Sequence, residues 1–104
     1  MKPLIVLTTV AADFDASSLA RELVEARLAA CVNILPGVES IYRWEGKVEA
    51  DGEKLLLIKT SDERLEELER KLLAIHPYEV PEFVVIDPAD VRGPYRAWLQ
   101  LSLS

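Results

Sequence analysis

The chain has 104 residues, half of them apolar, with a net charge of −6 and a single cysteine. That is enough for one domain over residues 1–104 with a single core, and the acidic balance argues against nucleic acid or an anionic membrane as partner. One cysteine excludes an internal disulfide and suits a reducing compartment, and the short apolar run after Met1-Lys2-Pro3 lacks a signal-peptide pattern, so a cytoplasmic protein is expected.

Leu4 to Val10 is a continuous apolar run of strand length, expected at the centre of a sheet with both faces covered. Ala11 to Asp15 form a connection, and Asp15 or Ser17 can cap a helix over about Ala16 to Ala29, with Leu19, Leu23 and Ala26 on its apolar face. From Cys31 to Thr60 the residues are β-rich on both sides of Glu45-Gly46, a two-residue connection whose glycine tolerates positive φ. Pairing about that turn sets Trp44 opposite Lys47 and Cys31 opposite Thr60. Each arm then reaches about 45 Å at ~3.3 Å per residue. A chain of this size has a radius of gyration of about 13 Å, so the hairpin is expected to overhang its own domain. Asp51-Gly52 is the competing turn; it and Pro36-Gly37 are otherwise candidate bulges. The tip carries Ile41, Tyr42, Trp44 and Val48, too apolar to stay in water, which points to an oligomer in which neighbours cover each other's hairpins.

Thr60-Ser61-Asp62-Glu63 has the form of a capping box, followed by a helix to about Ile75 with Leu65, Leu68, Leu72 and Ile75 as its buried stripe. Glu66 with Arg70 and Glu67 with Lys71 are exposed pairs one turn apart. His76-Pro77 ends that helix, because the residue before proline is pushed out of the α region. Phe83 to Asp87 reads as a fourth strand. Gly93-Pro94 opens a short final helix with Tyr95, Trp98 and Leu99 as apolar residues. The order β-α-β-β-α-β, then a helix, defines an α+β fold. It is the ferredoxin-like split β-α-β sandwich, with a long central hairpin and a short C-terminal helix.

Candidate chemistry is sparse. There is no Gly-rich phosphate loop, CxxC or HExxH. His76 either interacts with the end of its helix or coordinates a metal. Cys31 reads as a core residue, since a metal site needs further soft or imidazole donors. Lys59 and Glu82 are either solvated strand ends or a pair at a subunit cleft. Asp87, Asp90 and Glu82 form an acidic rim near one strand. Tyr42, Trp44, Tyr95 and Trp98 read as interface packing rather than a ligand cage.

Several segments together resemble the CutA divalent-cation-tolerance family: Leu28-Ala29-Ala30-Cys31-Val32-Asn33, Tyr42-Arg43-Trp44-Glu45-Gly46-Lys47, Leu57-Ile58-Lys59-Thr60, His76-Pro77-Tyr78 with Val80-Pro81-Glu82, and Tyr95-Arg96-Ala97-Trp98-Leu99. The resemblance implies a ferredoxin-like fold, a tight homotrimer built on the hairpins, an architecture related to the PII signalling trimers, and tolerance to copper and other divalent metals without settled enzymatic activity. It thereby implies no obligatory cofactor. Copper binding in some relatives uses a first-strand cysteine and a second histidine before His-Pro; Thr8 and Ile75 stand at those positions here, so of that set only His76 remains.

The leading expectation is therefore a non-enzymatic, cytoplasmic homotrimer that binds copper or another divalent metal ion, with His76 and Asp87 as candidate ligands. The alternative is a PII-like module that binds a small ligand between subunits. Lys59, Tyr78, Glu82 and Trp44 are expected at the ligand cleft, and Ile41, Tyr42, Trp44, Tyr95 and Trp98 at the trimer interface.

Overall fold

The computed structural model describes all of residues 1–104. Its elements are β1 (Pro3–Ala11), α1 (Ala16–Glu25), β2 (Cys31–Trp44), β3 (Lys47–Ser61), α2 (Leu65–Ile75), β4 (Val84–Ile86) and α3 (Gly93–Leu103). The four strands form one antiparallel sheet in the order β2-β3-β1-β4. The ferredoxin-like α+β arrangement expected from the element order is what the chain adopts.

Period-two alternation puts Leu4, Val6, Thr8 and Val10 of β1 on the helix-covered face, joined by Leu56 and Ile58 of β3. Leu19 and Leu23 of α1 and Leu68 and Leu72 of α2 close over them to form the core. Asp15 caps α1 by accepting from the Ser18 amide at 3.1 Å. The helix stops at Glu25 rather than near Ala29, because Arg27 turns to φ 60° and the Leu28 amide bonds back to the Leu23 carbonyl at 3.0 Å.

β1 is central, but only one of its faces is covered. Ile5, Leu7 and Thr9 share the opposite face with Leu55, Leu57 and Lys59 of β3 and with Cys31, Asn33 and Leu35 of β2, and no helix packs there. On β4, Val84 and Ile86 extend this face and are largely exposed.

The hairpin turns at Glu45-Gly46, both with positive φ (49° and 80°), and Trp44 pairs with Lys47. Asp51-Gly52 lies within the regular ladder. The register shifts between Leu35 and Val38, so Cys31 faces Lys59 rather than Thr60. Pro36 donates no hydrogen bond and Gly37 takes φ 74°, which accommodates one extra residue on β2 as a bulge. β1 leaves the sheet at Ala11, opposite Glu53, and apart from the Ala12 amide on the Gly52 carbonyl at 3.3 Å, β2 and β3 beyond that point pair with each other. This overhang draws the molecule out to 44 × 26 × 23 Å with a radius of gyration of 14.3 Å.

Thr60 is not a helix cap. β3 continues through Ser61, the Thr60 hydroxyl donates to the Leu28 carbonyl at 2.8 Å, and α2 begins at Leu65 after Arg64 with no side-chain cap. Of the expected pairs on α2, Glu66–Arg70 forms at 3.4 Å, whereas Lys71 approaches Glu22 of α1 and Glu67 approaches Arg64. β4 is shorter than Phe83 to Asp87 at both ends. On α3, Leu99 and Leu103 pack with Ala30 and Met1, leaving Tyr95 and Trp98 exposed with ring centroids 5.4 Å apart.

Candidate ligand cleft

The site begins where α2 stops. Pro77 forbids a further helical turn, and His76 caps the helix with its amide on the Leu72 carbonyl at 2.8 Å. The imidazole turns inward against β1. Its Nε2 lies 2.9 Å from the Thr9 carbonyl and 3.2 Å from the Thr8 hydroxyl, and its Nδ1 accepts the Tyr78 amide at 3.0 Å. An amide donating to Nδ1 and a carbonyl at Nε2 together specify the neutral ring with its proton on Nε2. Burial lowers the His76 pKa from its ordinary value; the Thr9 carbonyl and the Glu53 carboxylate pull the other way. Both nitrogens of His76, a candidate metal ligand, are thus engaged within the fold.

Tyr78 follows, with its ring 5.0 Å from that of His76, and its hydroxyl donates to Glu53 at 2.6 Å. Burial, then the bond to Glu53, pushes the Tyr78 phenol well above its ordinary range. Glu53 is only 8% exposed. It sits where β3 parts from β1, at the root of the overhanging hairpin. Further out, Tyr42 donates to Asp51, and that bond, followed by desolvation, pushes the Tyr42 phenol up to about 12.

These groups bound a cleft of about 700 Å³ between the hairpin and the turn after α2. Ile41, Tyr42 and Trp44 form one wall, Pro77, Tyr78 and Val80 another, and Glu53, Glu79 and Glu82 are its charged groups; no lysine, arginine or histidine lines it. Aromatic faces beside carboxylates suit a cationic group or a mixed apolar and cationic one.

Of the residues expected at a ligand cleft, Trp44, Tyr78 and Glu82 come together here and Lys59 does not. Lys59 stands about 20 Å further along β3 from Glu53, and its ammonium donates to the Asn33 side chain instead of meeting Glu82. The two residues proposed to hold a metal are also apart. Asp87 pairs with Lys2 at 2.8 Å beside the start of β1, and His76 abuts the end of β1, about 15 Å away. No three His, Cys, Asp or Glu side chains gather closely enough to hold an ion. Cys31 is half-buried on the uncovered sheet face, beside Lys59. Tyr95 and Trp98 lie on α3, away from the cleft. Glu53 was missed by sequence reasoning. Its signal was parity: it shares a strand face with Leu55 and Leu57, where a carboxylate is out of place.

Fold and cleft together define a ferredoxin-like α+β domain with an overhanging hairpin that roofs an acidic, aromatic recess. The CutA1 divalent ion tolerance family model matches residues 4–102. The Divalent-cation tolerance protein CutA of Thermus thermophilus is 48% identical over 96 residues, covering 92% of this chain and 93% of that one. The chloroplastic Protein CutA of Arabidopsis thaliana is 43% identical over 99 residues, and the chain spans 54% of its length. The structure of CutA from Synechococcus elongatus superposes with a TM-score of 0.94 at 42% identity, over 99% of this chain and 91% of that one. The chain belongs to the CutA divalent-cation tolerance family.

Proposed function

We propose that this protein is a non-enzymatic homotrimer of the cytoplasm that contributes to divalent-cation tolerance. The observation that carries the trimer is the hairpin tip: Ile41 and Val48 are 67% and 66% exposed, Trp44 and Tyr42 more than a third, and the sheet face behind them is apolar and uncovered. Apolar area of this extent on a chain this small is favourable to bury against neighbours. The cytoplasmic placement rests on the lone cysteine. The non-enzymatic reading rests on the internal commitment of the only histidine.

The metal contribution of this chain would come from carboxylates. For His76 to ligate copper it would have to surrender the Tyr78 amide at Nδ1 or its proton at Nε2, and the family's other copper donors are replaced here by Thr8 and Ile75. Glu79 and Glu82 are exposed in the cleft and suit a hard divalent ion held weakly, in the micromolar range or above. The volume and aromatic lining of the same cleft favour a second reading, a PII-like regulatory role in which a small organic ligand binds between subunits.

Calorimetric titration of the metal-free protein with Cu(II), Zn(II) and a metabolite panel separates the two. Weak metal binding that is lost in Glu79→Gln/Glu82→Gln and unchanged in His76→Ala supports the metal reading, and a metabolite that binds without metal supports the regulatory one. Sedimentation tests the assembly. A trimer weakened by Trp44→Ala, by about 3 kcal/mol per chain if that ring is fully covered, is expected. A parent protein that sediments as a monomer at micromolar concentration rules the trimer out.

A further inference from the structure

The uncovered sheet face carries two charges that nothing in their own chain answers. Odd-numbered positions of β3 lie on this face, level with Ile5 and Leu7 of β1. At one end is Glu53, 8% exposed, which accepts the Tyr78 hydroxyl and takes part in no ion pair. Its remaining oxygen has no hydrogen-bond partner and is not sealed off, so it opens into the cleft. At the other end is Lys59, half-buried, with its ammonium on the neutral Asn33 side chain and no carboxylate in reach. Leu55 and Leu57 lie between them. About 20 Å of strand separates the two, so they cannot pair with each other within one chain.

We infer that in the assembled protein the Lys59 ammonium of one subunit pairs with the Glu53 carboxylate of the next. This rests on the proposal above that the apolar sheet face is covered by further copies of the chain. Covering Ile5, Leu7, Leu55 and Leu57 takes water from both charges at once. A carboxylate or ammonium so desolvated is tolerated only beside an opposite charge. Each chain offers one anionic patch, around Glu53, and one cationic patch, around Lys59, on the same face but far apart. Because the two sites differ, each subunit can give its lysine to one neighbour and its glutamate to the other, so the same contact closes a cyclic trimer when it repeats by a closing rotation. The pairing also brings one lysine to the cleft of Trp44, Tyr78 and Glu82, which its own chain lines with carboxylates and no cation.

The test is charge exchange in the full-length chain, read by sedimentation across a concentration series. Glu53→Lys alone and Lys59→Glu alone each place like charges at every interface and are expected to raise the chain concentration needed for assembly at least ~100-fold. The double exchange, Glu53→Lys with Lys59→Glu, is expected to recover assembly to within about tenfold of the parent. A monomeric parent removes the trimer reading itself. A trimeric parent whose double exchange assembles no better than the worse single variant overturns the pairing and leaves the trimer standing. Because a charge reversal at a buried position can impair folding, a second measurement uses Glu53→Cys with Lys59→Cys in a Cys31→Ser background and a short bismaleimide. Covalent dimers and trimers on a denaturing gel, absent from either single-cysteine chain, support the contact. Their absence from a chain that still sediments as a trimer overturns it. If instead Zn(II) raises the melting temperature of the parent and not of Glu53→Gln, the partner of Glu53 is a divalent ion and the lysine assignment falls.

Discussion

Tyr78→Phe isolates the bond on which the cleft depends. The substitution removes one oxygen and keeps the ring against His76, so packing is nearly unchanged. What is lost is the 2.6 Å hydrogen bond to a carboxylate that is 8% exposed and has no cation in its own chain. Hydrogen bonds to charged groups contribute about 1.5–3 kcal/mol, and the upper part of that range applies when the abandoned partner stays buried. Tyr42→Phe is the internal control. Its hydroxyl also donates to a carboxylate, Asp51, but on the single chain both groups are exposed where Glu53 is buried, so the smaller loss of stability is expected. Urea unfolding of parent, Tyr78→Phe and Tyr42→Phe at pH 7 and one fixed chain concentration measures the difference, the fixed concentration being required because assembly adds to apparent stability. Equal midpoints for Tyr78→Phe and Tyr42→Phe would refute the claim that Glu53 is a desolvated anion held by Tyr78.

His76 gives the protein a pH dependence of definite sign. Its folded pKa lies below the ordinary 6.5, so as pH falls through that value the unfolded chain takes up a proton first and stability drops. Unfolding midpoints measured between pH 5 and 8 should decline toward the acid end in the parent, with a shallower decline in His76→Gln. Identical slopes in the two proteins would show that the ring is not held neutral. Cys31 is half-buried on the face assigned to assembly, so its thiol should react slowly with iodoacetamide in the intact oligomer and faster in Trp44→Ala at concentrations where that variant dissociates. Equal, rapid labelling of both proteins would place Cys31 outside any interface.

The elements and their order were legible in the amino-acid sequence because their causes are local. Leu4 to Val10, the leucine stripe of α2, the break at His76-Pro77 and the Glu45-Gly46 turn each act through backbone preference or residue periodicity, and each is found where expected. The errors fall where a distant partner decides. Thr60 has the residue type and spacing of a cap, but β1 keeps β3 extended to Ser61 and the Leu28 carbonyl takes the hydroxyl. Cys31 slipped by one residue because a bulge at Pro36-Gly37 changes the register of everything beyond it, while its own position is invisible until the strands pair. The site divides in the same way. Trp44, Tyr78 and Glu82 line one recess, since the hairpin and the turn after α2 both border the end of β1 at Thr9. Lys59 is separated from them by the length of β3, a distance that the fold sets and residue type does not. Glu53 and the inward turn of His76 belong wholly to tertiary structure. Whether a side chain is desolvated, and which donor reaches it, depends on chain segments brought together only when the sheet closes.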